Sequence, residues 1–241
     1  MLLINKPSGP TSHDIVDDVR RITGERRVGH AGTLDPFAEG LLIVLVGREE
    51  TRKQAEFLNM DKMYEATITL GIETDTLDLT GLPVKSKFSI LNFQFSNNFQ
   101  IPISKIKKAL KKFEGEQMQM PPQFSAKKIK GKKAYELARQ GKIFELKPKH
   151  VKIHWIKLLN YQTIAPPTSY KNETAAGFAE LELRLKVSSG TYIRALARDI
   201  GREVGTGAYI KKLKRTKIGK YNLKDAITTD DLRKEYLHDK I

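Results

Sequence analysis

The chain has 241 residues and no cysteine, with 43 Lys or Arg against 28 Asp or Glu for a net charge of +15. Disulfides and thiolate metal sites are excluded, which fits a reducing compartment. No apolar run reaches the roughly 18 residues a membrane-spanning helix needs, and the opening "MLLINKPSGPTS" turns polar too soon for a signal peptide.

The first predicted element is a helix across "GPTSHDIVDDVRRITG" (9–24). Thr11 or Ser12 caps it, Asp14 follows Thr11 at capping-box spacing, and Gly24 ends it. Ile15, Val16, Val19 and Ile22 form its apolar face. A glycine-rich turn carrying Asp35 follows, "GHAGTLDPFAEG" (29–40), and then "LLIVLV" (41–46), an unbroken apolar run that reads as a buried strand. Residues 64–71 alternate, with Tyr64, Ala66, Ile68 and Leu70 on one face. "GIETDTLDLTG" (71–81) is acidic and turn-rich but lacks the ligand order of a calcium loop. Residues 83–102 and 164–177 read as loops or insertions. "SKIKKALKKFEG" (104–115) predicts a capped helix, and "QMQMPPQFSAKKIKGKK" (117–133) an exposed basic loop. Residues 150–159 and 178–187 alternate as strands. Residues 191–205 return to helical period, with Ile193, Leu196, Ala197, Ile200 and Val204 on one face, and 228–241 form a last capped helix. Half-exposed strands interspersed with helices predict an α+β fold around a mixed, mostly antiparallel sheet flanked by helices.

The positive charge is concentrated. Residues 101–157 hold 16 Lys or Arg against 4 Asp or Glu, and "KKLKRTKIGK" (211–220) holds six basic residues and no acid. Such clusters suit a phosphate backbone. A solvated lysine-rich surface would produce the same pattern.

Asp35 alone is weak information, since Asp is a common turn residue. As a nucleophile or base it must stay ionised, which calls for a cation from elsewhere in the chain. Arg194, in "SSGTYIRALARDIG", is the best candidate, because a guanidinium stays protonated and grips a carboxylate through two bonds. A surface salt bridge is the plain alternative for it. His30 shares the Asp35 turn, but the other histidines (13, 150, 154, 238) make no ligand spacing with it, so no metal site is expected. Tyr64 is either a core aromatic or a platform on which a base stacks.

Six segments occur in one order: "KPSGPTS", "GHAGTLDPFAEGLL", "KMYEATITLGIETDTLDLTG", "QMPPQFSAKKIKGKKAYELARQG", "VSSGTYIRALARDIG" and "GAYIKKLKRTKIGKY". Together they resemble the bacterial tRNA pseudouridine-55 synthases, the TruB-type family, from about Lys6 to about Leu232. The resemblance implies the pseudouridine-synthase fold with an active-site cleft across the sheet. It implies that Asp35 is the catalytic acid, that Arg194 pairs with it and that Tyr64 stacks on the flipped uracil. Leu213 would line the pocket, His30 would fill space left by extruded bases, and Tyr192 would join the RNA-binding set. Lys127, Lys128, Lys130, Lys132 and Lys133 would lie in the family's RNA-clasping insertion, at about 117–142. Lys6 would be structural, packed beside the site. The resemblance further implies one catalytic domain over 1–241, without the C-terminal PUA domain that many relatives carry. The partner would be the T arm of tRNA, with no guide RNA. A cytoplasmic monomer without cofactor is expected. Phe124 departs from the family, which often has Tyr there, and Met63 stands where a polar or bulkier residue is more usual.

Three other readings use the same residues. A guide-RNA-dependent pseudouridine synthase acting on ribosomal RNA shares the "GTLDP" type of turn. A non-catalytic tRNA-binding or folding protein would need the basic segments but not the Asp35, Arg194 and Tyr64 set. A hydrolase would pair Asp35 with Glu39.

Overall fold

The computed structural model describes residues 1–84, 101–125, 128–129, 131–142, 144–165 and 178–238. Most of the two expected insertions, together with Lys127 and Lys130, lies outside the described residues. The chain runs through β1 (Leu2–Lys6), α1 (Ser12–Thr23), β2 (Val28–Ala31), β3 (Glu39–Val46), α2 (Arg48–Arg52), α3 (Gln54–Leu58) and β4 (Lys62–Leu70). It continues through β5 (Glu73–Thr74), β6 (Pro83–Val84), α4 (Ile103–Lys112), β7 (Gly115–Gln119), β8 (Lys128–Ile129), β9 (Lys132–Lys133) and α5 (Ala134–Arg139). The last elements are β10 (Lys149–Thr163), β11 (Ala179–Val187), α6 (Ile193–Val204), β12 (Ala208–Ile218), β13 (Tyr221–Asn222), a 3-10 turn at Leu223–Asp225 and α7 (Thr229–His238).

Hydrogen-bonded neighbours in the main sheet follow β1-β3-β12-β4-β11-β10-β7, with β2 beside β3 and β13 beside β12. Strands β1 and β2 pair with β3 antiparallel, as do β7 with β10 and β13 with β12, whereas β12 runs parallel to β3. The mixed, mostly antiparallel α+β sheet is the one the sequence predicts. None of the described helices is long and apolar enough to cross a membrane.

By internal packing the chain divides into two compact units. The first comprises Met1–Glu65, Leu185–Ser189 and Lys212–Ile241; the second comprises Ala66–Arg184 and Gly190–Lys211. In the first unit, β3 is covered on both faces. Leu42 and Val44 pack with Ile4 of β1 and with Ile15, Val16 and Val19 of α1, while Leu41, Ile43 and Leu45 pack with Phe57 and Ile218. A strand buried on both sides has no polar face to alternate with, which explains the unbroken apolar run. The capping box of α1 forms as expected: Asp14 N–H donates to Thr11 Oγ1 and Thr11 N–H donates to Asp14 Oδ2. These bonds hold the Asp14 carboxyl below its ordinary range. Gly24 closes the helix in the left-handed region.

In the second unit, α4 buries Ile106, Ala109 and Leu110 and turns its lysines outward. Its expected side-chain cap is absent, because the helix begins after Pro102, which has no side-chain donor or acceptor to offer. In the first unit, α7 does have a reciprocal cap, between Thr228 and Asp231. The largest correction concerns 117–133. Its first part is not an exposed loop: Gln117 to Gln119 pair with β10, and Gln119, Pro121 and Ser125 are buried. Hydrophobic periodicity does not register this part, because its buried residues are polar or proline and are covered by partners distant in sequence.

Candidate active site

Asp35 sits in the first unit, half-buried, in a turn closed by the Ala38 N–H bond to Asp35 O at 3.0 Å. The backbone on both sides of it is tied down. Ser12 Oγ accepts from Leu34 N–H at 2.9 Å and donates to Leu34 O at 3.0 Å. The Lys6 ammonium donates to Pro7 O (2.7 Å), Pro36 O (3.2 Å) and Ala38 O (2.7 Å). Gly9 N–H adds a second bond to Pro36 O, and Ser8 Oγ donates to Phe37 O. Arg215, only 1% exposed, donates from Nε to Leu41 O and from Nη2 to Gly32 O. The peptides flanking Asp35 are thus fixed from three separate elements, β1, α1 and β12.

Gly40 is part of the same construction. It pairs with Lys6 on one side and with Arg215 on the other, at φ +105°, and a Cβ there would lie 2.9 Å from Arg215 N and closer still to its carbonyl. Two buried cations therefore flank one glycine. Burial pulls the Lys6 ammonium down to about 8; the Asp35 carboxylate opposes that shift and the Arg215 guanidinium adds to it. Arg215 is an exception within the basic cluster 211–220, which as a whole suits a phosphate backbone. It is a structural cation inside the unit, 1% exposed and bonded to two backbone carbonyls.

His30, Tyr64 and Leu213 also lie in the first unit. His30, on β2, is half-buried, its carbonyl accepts from Gln54 Nε2, and its Nδ1 is buried with no hydrogen-bond partner among the described residues. Burial lowers its pKa, with Arg215 and His13 adding to the effect, so the imidazole is neutral at neutral pH. Tyr64 and Leu213 are buried, at 8% and 6% exposure, on β4 and β12.

Arg194 and Tyr192 belong to the second unit. Arg194 is 6% exposed, which rules out the surface salt bridge as its plain alternative. Its Nη1 donates to Thr76 O at 2.7 Å and lies 3.4 Å from Asp78 Oδ2, and its Nη2 donates to Phe124 O at 2.9 Å. Asp78 is itself fixed, since its Oδ1 accepts from Thr80 N–H and from the hydroxyls of Thr76 and Thr80. The acidic 71–81 segment is thus an arginine-holding turn. Leu77 at its centre takes a φ of +63°, unusual for a branched side chain. Further along α6, Arg198 donates to Met120 O, and Arg202 forms a two-bond pair with Glu73. The sequence signal for this face is the set of arginines at 194, 198 and 202, spaced four apart on a helix. Tyr192 is half-buried at the N-cap of α6.

Among the five lysines of the basic segment, Lys128 and Lys133 pair in the β8–β9 hairpin and Lys132 is exposed. No group of three or more His, Asp or Glu among the described residues is placed to hold a metal ion.

Comparison with known proteins gives one consistent family. A model described as TruB family pseudouridylate synthase (N terminal domain) matches residues 20–193, and one described as tRNA pseudouridylate synthase B C-terminal domain matches 194–240. A tRNA pseudouridine synthase B of Aquifex aeolicus (strain VF5) is 40% identical over 230 residues, covering 95% of this chain and 72% of that protein. The protein of the same name in Desulfotalea psychrophila (strain LSv54 / DSM 12343) is 38% identical over 240 residues, covering 100% of this chain and 90% of its own. Among solved structures, a Cbf5-Nop10-Gar1 complex aligns with a TM-score of 0.67 at 26% identity, and an H/ACA RNP bound to a substrate RNA containing 2′-deoxyuridine aligns with 0.65 at 26%. Both alignments take in all of this chain, which spans 56% and 55% of those chains.

Proposed function

The chain belongs to the TruB family of pseudouridylate synthases, and from that premise we propose that it converts one uridine of tRNA, in the T loop at position 55, to pseudouridine. The observation that carries this reading is the 40% identity, across 95% of the chain, to a protein named tRNA pseudouridine synthase B. The fixed Asp35 turn supports Asp35 as the catalytic acid.

The reaction is an isomerisation. The N1–C1′ bond breaks, the uracil turns over, and a C5–C1′ bond forms; C5 loses a proton and N1 gains one. Nothing is oxidised or added, so the balance requires no redox cofactor or ATP. The Asp35 carboxylate either attacks C1′ or removes the C2′ proton. In both routes it must be ionised, and Arg194 is proposed as its two-pronged partner in a partly desolvated pocket. The base must first leave the stack, at a cost of a few kcal/mol. Stacking on Tyr64 within a pocket lined by Leu213 offsets that cost, while His30 occupies space left in the RNA loop and Tyr192 belongs to the RNA-binding set. Lys127, Lys128, Lys130, Lys132 and Lys133 hold the RNA backbone. We place the enzyme in the cytoplasm as a monomer, one catalytic domain with a basic insertion at about 117–142.

The likeness to chains of H/ACA complexes favours one second reading, an enzyme directed by guide RNA. Purified protein incubated with a tRNA transcript, and separately with a T-arm stem-loop, decides between the two. Pseudouridine at the loop uridine of both, without guide RNA, is the expected result. A requirement for guide RNA moves the second reading ahead. Asp35→Asn, nearly isosteric, should abolish product while tRNA affinity changes little; turnover by that variant removes Asp35 from the mechanism.

A further inference from the structure

The start of α6 has no side-chain cap of its own. Tyr192 occupies the N-cap position in extended backbone and makes no side-chain capping bond. The cap comes instead from another element. Gln119, 4% exposed at the end of β7, accepts the Tyr192 N–H on Oε1 at 2.9 Å and donates from Nε2 to Tyr192 O at 3.1 Å. That oxygen also receives the helical bond from Leu196 N–H at 3.0 Å. Both hydrogen-bonding groups of one peptide residue are thus gripped by one amide side chain. The same β-rung holds the turn again one step earlier. Lys149 pairs with Gln119 across β10 and β7, and its ammonium lies against Gly190, where any Cβ would overlap it.

The segment after Gln119 is fastened to the same helix. Met120 O accepts from Arg198 and Phe124 O accepts from Arg194. Residues 119–124 therefore lie along the first turns of α6, and they lead directly into the lysines of the basic segment.

We infer that Gln119 is a positioning residue for Arg194, acting through the Tyr192 backbone two residues before it. The inference rests on the reading of Arg194 as the partner of the catalytic acid. A helix whose N-cap residue is held at both its N–H and its C=O resists rolling and sliding at that end. The guanidinium stands well out from the helix axis, so a small roll moves it further than it moves the backbone. A displacement of about 1 Å in a catalytic group costs about 10²-fold in rate. Gln119 makes neither contact for the sake of its own solubility or charge, since the amide is neutral and buried.

The test compares wild type, Arg194→Lys, Gln119→Leu and Gln119→Glu by single-turnover rate on a tRNA transcript and by tRNA dissociation constant. Gln119→Leu should lower the rate about 10–100-fold with affinity unchanged within about twofold. Gln119→Glu is isosteric. As a carboxylate it accepts from Tyr192 N–H but repels Tyr192 O; once protonated it donates and accepts as the amide does. Burial raises a carboxyl pKa, so the ratio of variant to wild-type rate should rise steadily from about pH 8 to about pH 5.5. A purely structural residue would show its effect in unfolding temperature, with no such recovery of rate in protein that is fully folded at both pH values. A wild-type rate for Gln119→Leu, a loss confined to affinity, or a flat ratio for Gln119→Glu overturns the inference. Should Gln119→Leu fail to fold, the pH response of Gln119→Glu decides alone. An inactive wild type, or a fully active Arg194→Lys, overturns the underlying reading of the site instead.

Discussion

The Lys6 ammonium has three hydrogens, and three carbonyls receive them, those of Pro7, Pro36 and Ala38. Burial brings its pKa to about 8, below the ordinary value of 10.5. Between those two values the unfolded chain holds a proton that the folded chain has lost. Stability therefore gains from this group as pH rises through that window, because the cost of burying charge is relieved. Activity should move the other way. A neutral amine has only two hydrogens, so one carbonyl beside Asp35 loses its donor and the turn slackens. The single-turnover rate should fall above about pH 8 while the unfolding temperature gains from this group. Lys6→Met should start about 10–100-fold slower and lack that limb of the profile. A limb that persists in Lys6→Met belongs to another group.

At the scale of elements, the Asp35 turn depends on β1, β3 and β12 meeting at Gly40. The parallel pairing of β3 with β12 runs through Lys214 opposite Glu39 and Arg215 opposite Gly40. In Gly40→Ala the new methyl group meets the Arg215 backbone, and the residue must also keep a φ of +105°. Either the strands separate or the backbone rotates, at a cost of about 2–5 kcal/mol. Denaturant unfolding should show that loss, and any protein that remains folded should have lost most of its activity along with the Leu41 and Gly32 bonds of Arg215. A stable, active Gly40→Ala would mean that β12 does not hold the turn.

At the scale of the whole molecule, the net charge of +15 overstates what is free to meet phosphate. In 211–220, Arg215 is buried, Lys211 is paired with Glu180 and Lys214 with Glu39. Neutralising Lys127, Lys128, Lys130, Lys132 and Lys133 together should flatten the dependence of log affinity on log salt by up to about four, whereas Lys211→Gln should barely move it. Filter binding over a range of salt measures both. The same contrast marks what could be read from sequence. The apolar stripes of α1, β4 and α6 were legible because periodicity records burial directly. So was the capping box at Thr11, which is local. Arg215, Asp78 and Gln119 were not, because their partners lie far away in sequence and their residue types are ordinary on a surface. Asp35 and Arg194 stand out only through ordered motifs, since no local pattern distinguishes the role proposed for Asp35 from that of an aspartate that ends a turn.

The bond from Arg215 to Gly32 closes a loop of 183 residues. During synthesis, the peptides around Asp35 leave the ribosome long before the arginine that braces them exists. Lys6 and Ser12, made earlier, can set a provisional form of the turn, but its final brace waits for β12 to lie against β3. Contacts of such sequence separation are slow to form. The Asp35 turn therefore matures late, and on the reading of Asp35 proposed above an unfinished chain carries its acid on a turn that lacks its last brace.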